Sequence, residues 1–173
     1  YAALKGCNVR SIDYFAAYLQ GSFVDGEVVY CHLPAGYSEL LNLPATTDGG
    51  EPLVLRIEKP VYGLPQSGRR LQRVLFPWLR EQGLTPLDDS DECVFVRADQ
   101  SDGEVFALGL YVDNLQIVHS ADLDEDGVPF DDTSFYAKFL AKLNEDWDVV
   151  DEGPCTDLLG IEVRHNADGT ITL

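Results

Sequence analysis

The stretch Phe106–Ser120 reads FALGLYVDNLQIVHS, two apolar runs interrupted by one acid and one amide. Such a pair between strand-like runs predicts a hairpin, Phe106–Leu110 and Leu115–His119, turning at Asp113-Asn114. Similar patterning gives a short strand Asn8–Asp13, a turn or short helix to Gln20, and a hairpin whose second arm is Glu27–Leu33. Residues 42–52 are polar and turn-rich, and Leu53–Ile57 reads as a strand. Leu71, Val74, Leu75, Trp78 and Leu79 recur at helical spacing behind Ser67, a candidate cap, with Pro77 as a kink and Gly83 and Pro86 as stops. Cys93–Arg97 is a further strand. Residues 132–146 form a second amphipathic helix, with Phe135, Phe139, Leu140 and Leu143 on its apolar face. Strands at Trp147–Val150 and Leu158–His165 and a turn at Asn166–Gly169 close the chain. The sum is an α+β fold, an antiparallel sheet in a split-βαβ (ferredoxin-like) layout with two packed helices.

Composition narrows the class. With 173 residues, 45% hydrophobic and 10% aromatic, the chain has the size of one globular domain, residues 1–173. No apolar run approaches the roughly 20 residues a membrane span needs, so no membrane partner is expected. Cys7, Cys31, Cys93 and Cys155 are scattered without a CxxC pair, which points to free thiols in a reducing, intracellular setting. The net charge of −18 is opposite to what a polymer-binding protein carries. It is uneven: residues 1–83 hold eight basic and eight acidic side chains, whereas residues 84–157 hold three and 20. A polyanion would therefore approach through the first half, where Arg69, Arg70, Arg73 and Arg80 cluster.

Asp13 and Asp113 end two strand-like segments a hundred residues apart. If the strands are sheet neighbours, the two carboxylates meet, and hard oxygen ligands so placed suit a pair of magnesium ions in phosphoryl transfer. The blocks DYFAAYLQG (13–21), EVVYCHLPAGY (27–37), VYGLPQSGR (61–69), DECVFV (91–96), YVDNL (111–115) and LGIEV (159–163) span nearly the whole chain. In that order and spacing they resemble the reverse transcriptase of copia-type retrotransposon polyproteins.

The resemblance implies a palm with partial fingers, performing RNA-directed DNA synthesis with two Mg²⁺ (or Mn²⁺) ions. Its partners would be a template-primer of RNA or DNA, a deoxynucleoside triphosphate and the remaining Pol polyprotein with fingers, thumb and ribonuclease H. Asp13, Asp113 and Asn114 would be the catalytic residues, with metal held by Asp13, Asp113 and the Tyr14 carbonyl. Tyr14, Tyr18, Gly63 and Gln66 would line the nucleotide site, and Arg69, Arg70 and Arg73 would follow the nucleic acid. The abrupt start at Tyr1, read as the last turn of a helix ended by Gly6, and the strand-like end at Leu173 fit a piece of such a polyprotein. Asn114 departs from the family pattern of two aspartates, and Pro65 and Gly68 depart from its usual lysine and proline. The amide suggests a defective copy, so a rival reading is a non-catalytic relic or a protein-binding module with the same fold. Asp122–Gly127 matches half of a calcium loop, D-x-D-x-D-G, but Thr133 stands where the bidentate glutamate belongs.

Overall fold

The computed structural model describes residue 2, residues 6–87 and residues 91–173. The helical turn read at Tyr1–Lys5 falls largely outside the described residues. In chain order the elements are β1 (Asn8–Tyr14), α1 (Ala17–Gln20), β2 (Val29–His32), α2 (Tyr37–Leu40), β3 (Val54–Ile57), α3 (Ser67–Glu81), β4 (Leu84–Pro86), β5 (Val94–Arg97), β6 (Phe106–Tyr111) and β7 (Asn114–His119). There follow α4 (Phe135–Asp146), β8 (Val149–Pro154), β9 (Asp157–Leu158), β10 (Ile161–Glu162), β11 (Arg164–His165) and β12 (Ile171–Thr172). They form two compact units, residues 1–17 with 74–173, and residues 18–73.

The first unit is built on a six-stranded sheet in the order β4-β5-β6-β7-β1-β8, with every neighbouring pair antiparallel. Because side chains alternate between faces with period two, each strand sends one set to a face covered by α3 and α4 and one to the opposite, more open face, where Ser11 is nonetheless buried. Ile12 and Tyr14 of β1, Phe106 and Leu108 of β6, and Leu115 and Ile117 of β7 make the covered set. Leu75 and Leu79 of α3 and Phe139 and Leu143 of α4 are buried as well. Aromatic edges join the layers: Phe139 lies 4.9 Å from Phe106 and 5.7 Å from Trp78, and Phe76 lies 5.1 Å from Phe95. Each such buried aliphatic or aromatic side chain contributes about 1.5–3 kcal/mol.

The covered face also holds polar groups. The Arg10 guanidinium donates from Nε and Nη2 to Asp151 Oδ2 at 3.2 and 2.9 Å, and Gly127 leaves it room, since a Cβ there would stand 2.6 Å from Nη1. Fully buried His119 stacks on Tyr136 with ring centroids 3.6 Å apart, and neither ring nitrogen has a hydrogen-bond partner. Burial, reinforced by the charge of Arg10 and opposed by Asp151, pushes the His119 pKa down to about 4. Tyr136 is pushed up to about 12, chiefly by burial.

Several sequence expectations need correction. The second arm Glu27–Leu33 does not pair with the segment before it; β2 pairs with β3 across the 33–53 loop. Ser67 does not cap α3 by accepting a backbone bond: it is buried within the helix and its hydroxyl donates to Val61 O at 2.7 Å. Pro86 does not merely stop the helix but lies in β4, an edge strand, where a residue without an N–H is tolerated. Helix α4 starts at Phe135, with Ser134 Oγ accepting from Ala137 N, and Tyr136 joins its buried residues. Leu158–His165 is not one strand. Leu159 and Gly160 both have positive φ, 55° and 80°, and this two-residue turn folds β9 back on β10.

In the second unit, Glu27 gathers three donors: Arg70 Nε at 2.6 Å, Val24 N at 3.2 Å and Gln66 Nε2 at 3.3 Å. The Arg70 contact, a hydrogen bond to a charge, is the largest cause of a Glu27 pKa below the usual carboxylate range. Lys59 Nζ donates to Gly21 O at 3.1 Å, tying the end of α1 to the segment after β3. Among the described residues of the whole chain, no helix is long and apolar enough to cross a membrane.

The buried histidine makes stability depend on pH. Its folded pKa lies below its unfolded value, so the unfolded chain takes up the proton first and stability is lost as pH falls from about 6.5 through about 4. Denaturant titration of the protein and of His119→Phe should show the difference in unfolding free energy shifting by about 3 kcal/mol in the variant's favour between about pH 7 and pH 4. A difference independent of pH would mean that His119 takes up its proton as readily in the fold as in the unfolded chain.

Candidate active site

Strand β1 runs antiparallel to β7 in a register that sets Asp13 opposite Asn114 and Ser11 opposite Gln116. Opposed residues share a face, so all four belong to the open face, away from Ile12, Leu115 and Ile117. The ladder continues past the strand, with Tyr14 N donating to Asp113 O at 2.7 Å. Asp13 and Asp113, far apart in sequence, are thereby brought to one end of the sheet. Burial raises the Asp13 pKa first, then the like charges of Asp113 and Glu152.

The hairpin differs from expectation by one residue. Tyr111 and Asn114 are paired, so the turn is Val112-Asp113, and Asn114 is the first residue of β7. Val112 has φ 57°, a left-handed conformation that a β-branched side chain adopts only under strain. The strain follows from demanding a two-residue turn with no glycine at its first position.

Asn114 is held by its neighbours on the open face. Gln116 Nε2 donates to Asn114 Oδ1 at 2.6 Å and to Ser11 Oγ at 3.2 Å. Ser11 Oγ lies 2.9 Å from Glu152 Oε2 and 3.2 Å from Asn114 Oδ1, and its single proton goes to the shorter, charge-assisted contact with Glu152. A cavity of about 330 Å³ beside them is lined by Ser11, Asn114, Glu152, Pro154, Thr156 and Asp157. Tyr14 is buried with its ring 5.4 Å from Trp147, so only its backbone is available to a ligand on the open face. Asp13 and Asp113 are hard oxygen donors suited to a magnesium or manganese ion. Among the described residues, no three His, Cys, Asp or Glu side chains converge as they would around a bound metal.

The remaining candidates belong to residues 18–73. Tyr18 and Tyr62 pack with centroids 4.5 Å apart, and a Cβ at Gly68 would stand 3.9 Å from the Tyr18 hydroxyl. Gly63 has φ 93° in the turn before α3. Despite Pro65 and Gly68, α3 begins at Ser67. Gln66 and Arg70 spend donors on Glu27, whereas Arg69 and Arg73, one turn apart on α3, are exposed. The acidic loop closes on itself: Asp124 Oδ1 accepts from the backbone N–H of Asp126 and Val128. Sequence reading missed Ser11, Gln116, Glu152 and Glu27. The first two were detectable, since they lie two positions from Asp13 and Asn114 and so share their face.

The reverse transcriptase (RNA-dependent DNA polymerase) family model matches residues 1–173. The chain therefore belongs to the reverse transcriptase family, as the copia-type motifs indicated. It is similar to the retrovirus-related Pol polyprotein from transposon TNT 1-94 of Nicotiana tabacum, with 26% identity over 162 residues. That match covers 94% of this chain but 10% of the relative's length. No solved structure matches the chain.

The strained turn gives a direct test of the local geometry. Val112→Gly should stabilise the protein by about 1 kcal/mol, the relief of left-handed strain exceeding the extra entropy of the unfolded chain. Equilibrium unfolding that shows no gain would mean that the turn carries no strain.

Proposed function

We propose that this chain is the palm with part of the fingers of an RNA-directed DNA polymerase, acting on a template-primer and deoxynucleoside triphosphates. The observation that carries the reading is the β1–β7 register, which sets Asp13 beside the Asp113 turn on the open face. The order β6-β7-β1-β8, with α3 between β1 and β6 and α4 between β7 and β8, supports a split-βαβ palm.

In this reading Asp13, Asp113 and the Tyr14 carbonyl would hold the divalent ions, which when bound supply charge stabilisation to the attacking and leaving oxygens. The chain's own contribution is placement. The sheet holds Asp13 near the end of β1 and Asp113 in the turn before β7, and the Asp13 pKa, raised first by burial and then by the like charges of Asp113 and Glu152, marks a carboxylate that a cation would stabilise in its charged form. Tyr18, with Tyr62 against it, would face the nucleotide sugar, and Gly63 and Gln66 would border the base. Arg69 and Arg73 are exposed cations available to template or primer phosphates, while Arg70 holds Glu27 and through it Gln66.

The second reading, a non-catalytic relic or protein-binding module with this fold, is favoured by Asn114. Its amide brings no charge, and its oxygen already accepts from Gln116. Titration with Mn²⁺ and Mg²⁺, followed by calorimetry and by paramagnetic broadening, decides between them. Asn114→Asp should tighten binding by about an order of magnitude with little change in fold stability, and Asp13→Asn should abolish it. If neither the protein nor Asn114→Asp, both folded, binds either ion, the polymerase reading gives way to the second. Primer-template affinity should fall steeply with salt and drop in Arg69→Ala/Arg73→Ala, because phosphate contacts release counterions.

A further inference from the structure

The end of the sheet far from Asp13 carries a buried pair of rings that closes a loop. Strand β7 ends at His119, opposite Asn8 of β1 and Phe106 of β6, and α4 begins at Phe135. The His119 ring lies flat on Tyr136 of that helix, with centroids 3.6 Å apart and planes 3° from parallel, so the stack joins the two ends of the loop 120–134. Both residues are buried, and His119 Nδ1 and Nε2 and the Tyr136 hydroxyl all lack a hydrogen-bond partner. A protonated imidazole carries two N–H donors and a charge, and this site offers an acceptor to neither donor. The stack suits the neutral ring.

The groups around the ring favour the same state. Arg10 of β1 is buried and brings a positive charge, and Asp151 of β8 is spent on the Arg10 guanidinium through Nε and Nη2. Tyr136 of α4 keeps its proton up to about pH 12, and Phe106 of β6 is apolar. A proton on His119 would therefore set a second cation near Arg10 in a covered place, which is why burial and then Arg10 hold its pKa down to about 4.

The loop itself is lightly held. Most of its hydrogen bonds stay within it: Asp124 N and Phe130 N donate to Val128 O and Asp122 O, and Asp131 Oδ1 accepts from Thr133 N. Most side chains from residue 122 to residue 133 are exposed. Its ties to the sheet include Asn8 Nδ2, which donates to Ala121 O at 2.9 Å, and the close approach of the Gly127 backbone to the Arg10 guanidinium. Together with Asn8 and Arg10 of β1 and Gly153 and Pro154 of β8, residues 122–127 wall a cavity of about 640 Å³. Segments with few buried contacts open at a lower free energy than the sheet they stand on, and short turns freed from a packed face do not hold alone.

We propose that residues 121–134 are a flap held shut by the stack of neutral His119 on Tyr136, and that protonation of His119 frees the flap and opens this cavity while the sheet stays folded. The proposal is independent of the polymerase reading. The ring is harder to protonate with the flap shut than with it open, so the shut form is fully favoured above about pH 6.5 and is lost as pH falls towards about 4.

Hydrogen exchange of the folded protein, corrected for the intrinsic rate at each pH and measured where exchange reports the opening equilibrium, tests this. The amides of Asp124, Gly127 and Phe130 should be less protected than those of β6 and β7 at every pH. Their opening constant should rise about twentyfold between pH 7 and pH 5, the ratio given by a ring with a pKa of about 4 shut and 6.5 open. In His119→Phe the same constant should change less than about twofold. An opening constant that does not respond to pH would overturn the proposal, as would an equal response in His119→Phe. Flap amides that exchange only together with those of β6 and β7 would overturn it too, because no separate flap would then exist. Should His119→Phe fail to fold, the assigned ring resonances of His119 in the unaltered protein decide: a ring still neutral at about pH 5 supports the proposal, and one that titrates at its ordinary value of about 6.5 overturns it.

Discussion

The antiparallel pairing of β1 with β7 fixes where nearly everything else in residues 1–17 and 74–173 must go. A slip of one residue would send Asp13 and Ser11 to the helix-covered face and Ile12 to the open one, since side chains alternate strictly along a strand. What forbids the slip is burial: Ile12, Leu115 and Ile117 are fully covered, and exposing them would forfeit several kilocalories per mole. The apolar half of the pattern thus holds the polar half in place. The candidate site inherits its geometry from residues that never touch it.

That separation of labour explains how the fold tolerates so many acids. Asp13 has its pKa raised first by burial and then by the like charges of Asp113 and Glu152. On the covered face the opposite rule applies, and Asp151 is admitted only against Arg10. Glu104 shows a third solution, accepting from Arg97 at 3.3 Å and from the Phe135 backbone N–H at 2.7 Å, where the start of a helix welcomes negative charge. An acidic chain folds here because its carboxylates are distributed among partners, helix ends and solvent.

The legible elements were those whose signal is local. The β6–β7 hairpin, β5 and the two long helices announce themselves by period, and their positions differ from expectation by one to three residues. The turn slipped by one because Asp-Asn is the more usual turn pair, yet the register puts strained Val112 in the turn and spends Asn114 on a ladder pair with Asp13. Long-range and irregular features were not legible. The pairing of β2 with β3 spans a 21-residue loop, β4 depends on finding the edge of β5, and the β8 bulge leaves no mark in the order of residue types. The site divides the same way. Asp13 and Asp113 stand at ends of readable strands, whereas Glu152 is displaced by a backbone irregularity and Glu27 reaches Arg70 across 43 residues.

The basic residues point to a division within α3 that sequence spacing alone concealed. Arg69, Arg70 and Arg73 look equivalent as a cluster, but the helix turns them to different surroundings. Arg70 is only 14% exposed at its side chain, paired with an equally covered Glu27, and removing either partner would leave the other a partly desolvated charge without its counter-ion. Such a pair is a poor phosphate ligand, since engaging a polymer would first require breaking a 2.6 Å charge-assisted bond. Its effect is instead to anchor Gln66, which shares the same carboxylate, at the start of the helix. Of these three, the cations free to meet a polyanion are therefore the exposed ones, Arg69 and Arg73. With so few of them against a net charge of −18, affinity for a nucleic acid has to come from a local patch and from counterion release, working against the long-range field of the chain.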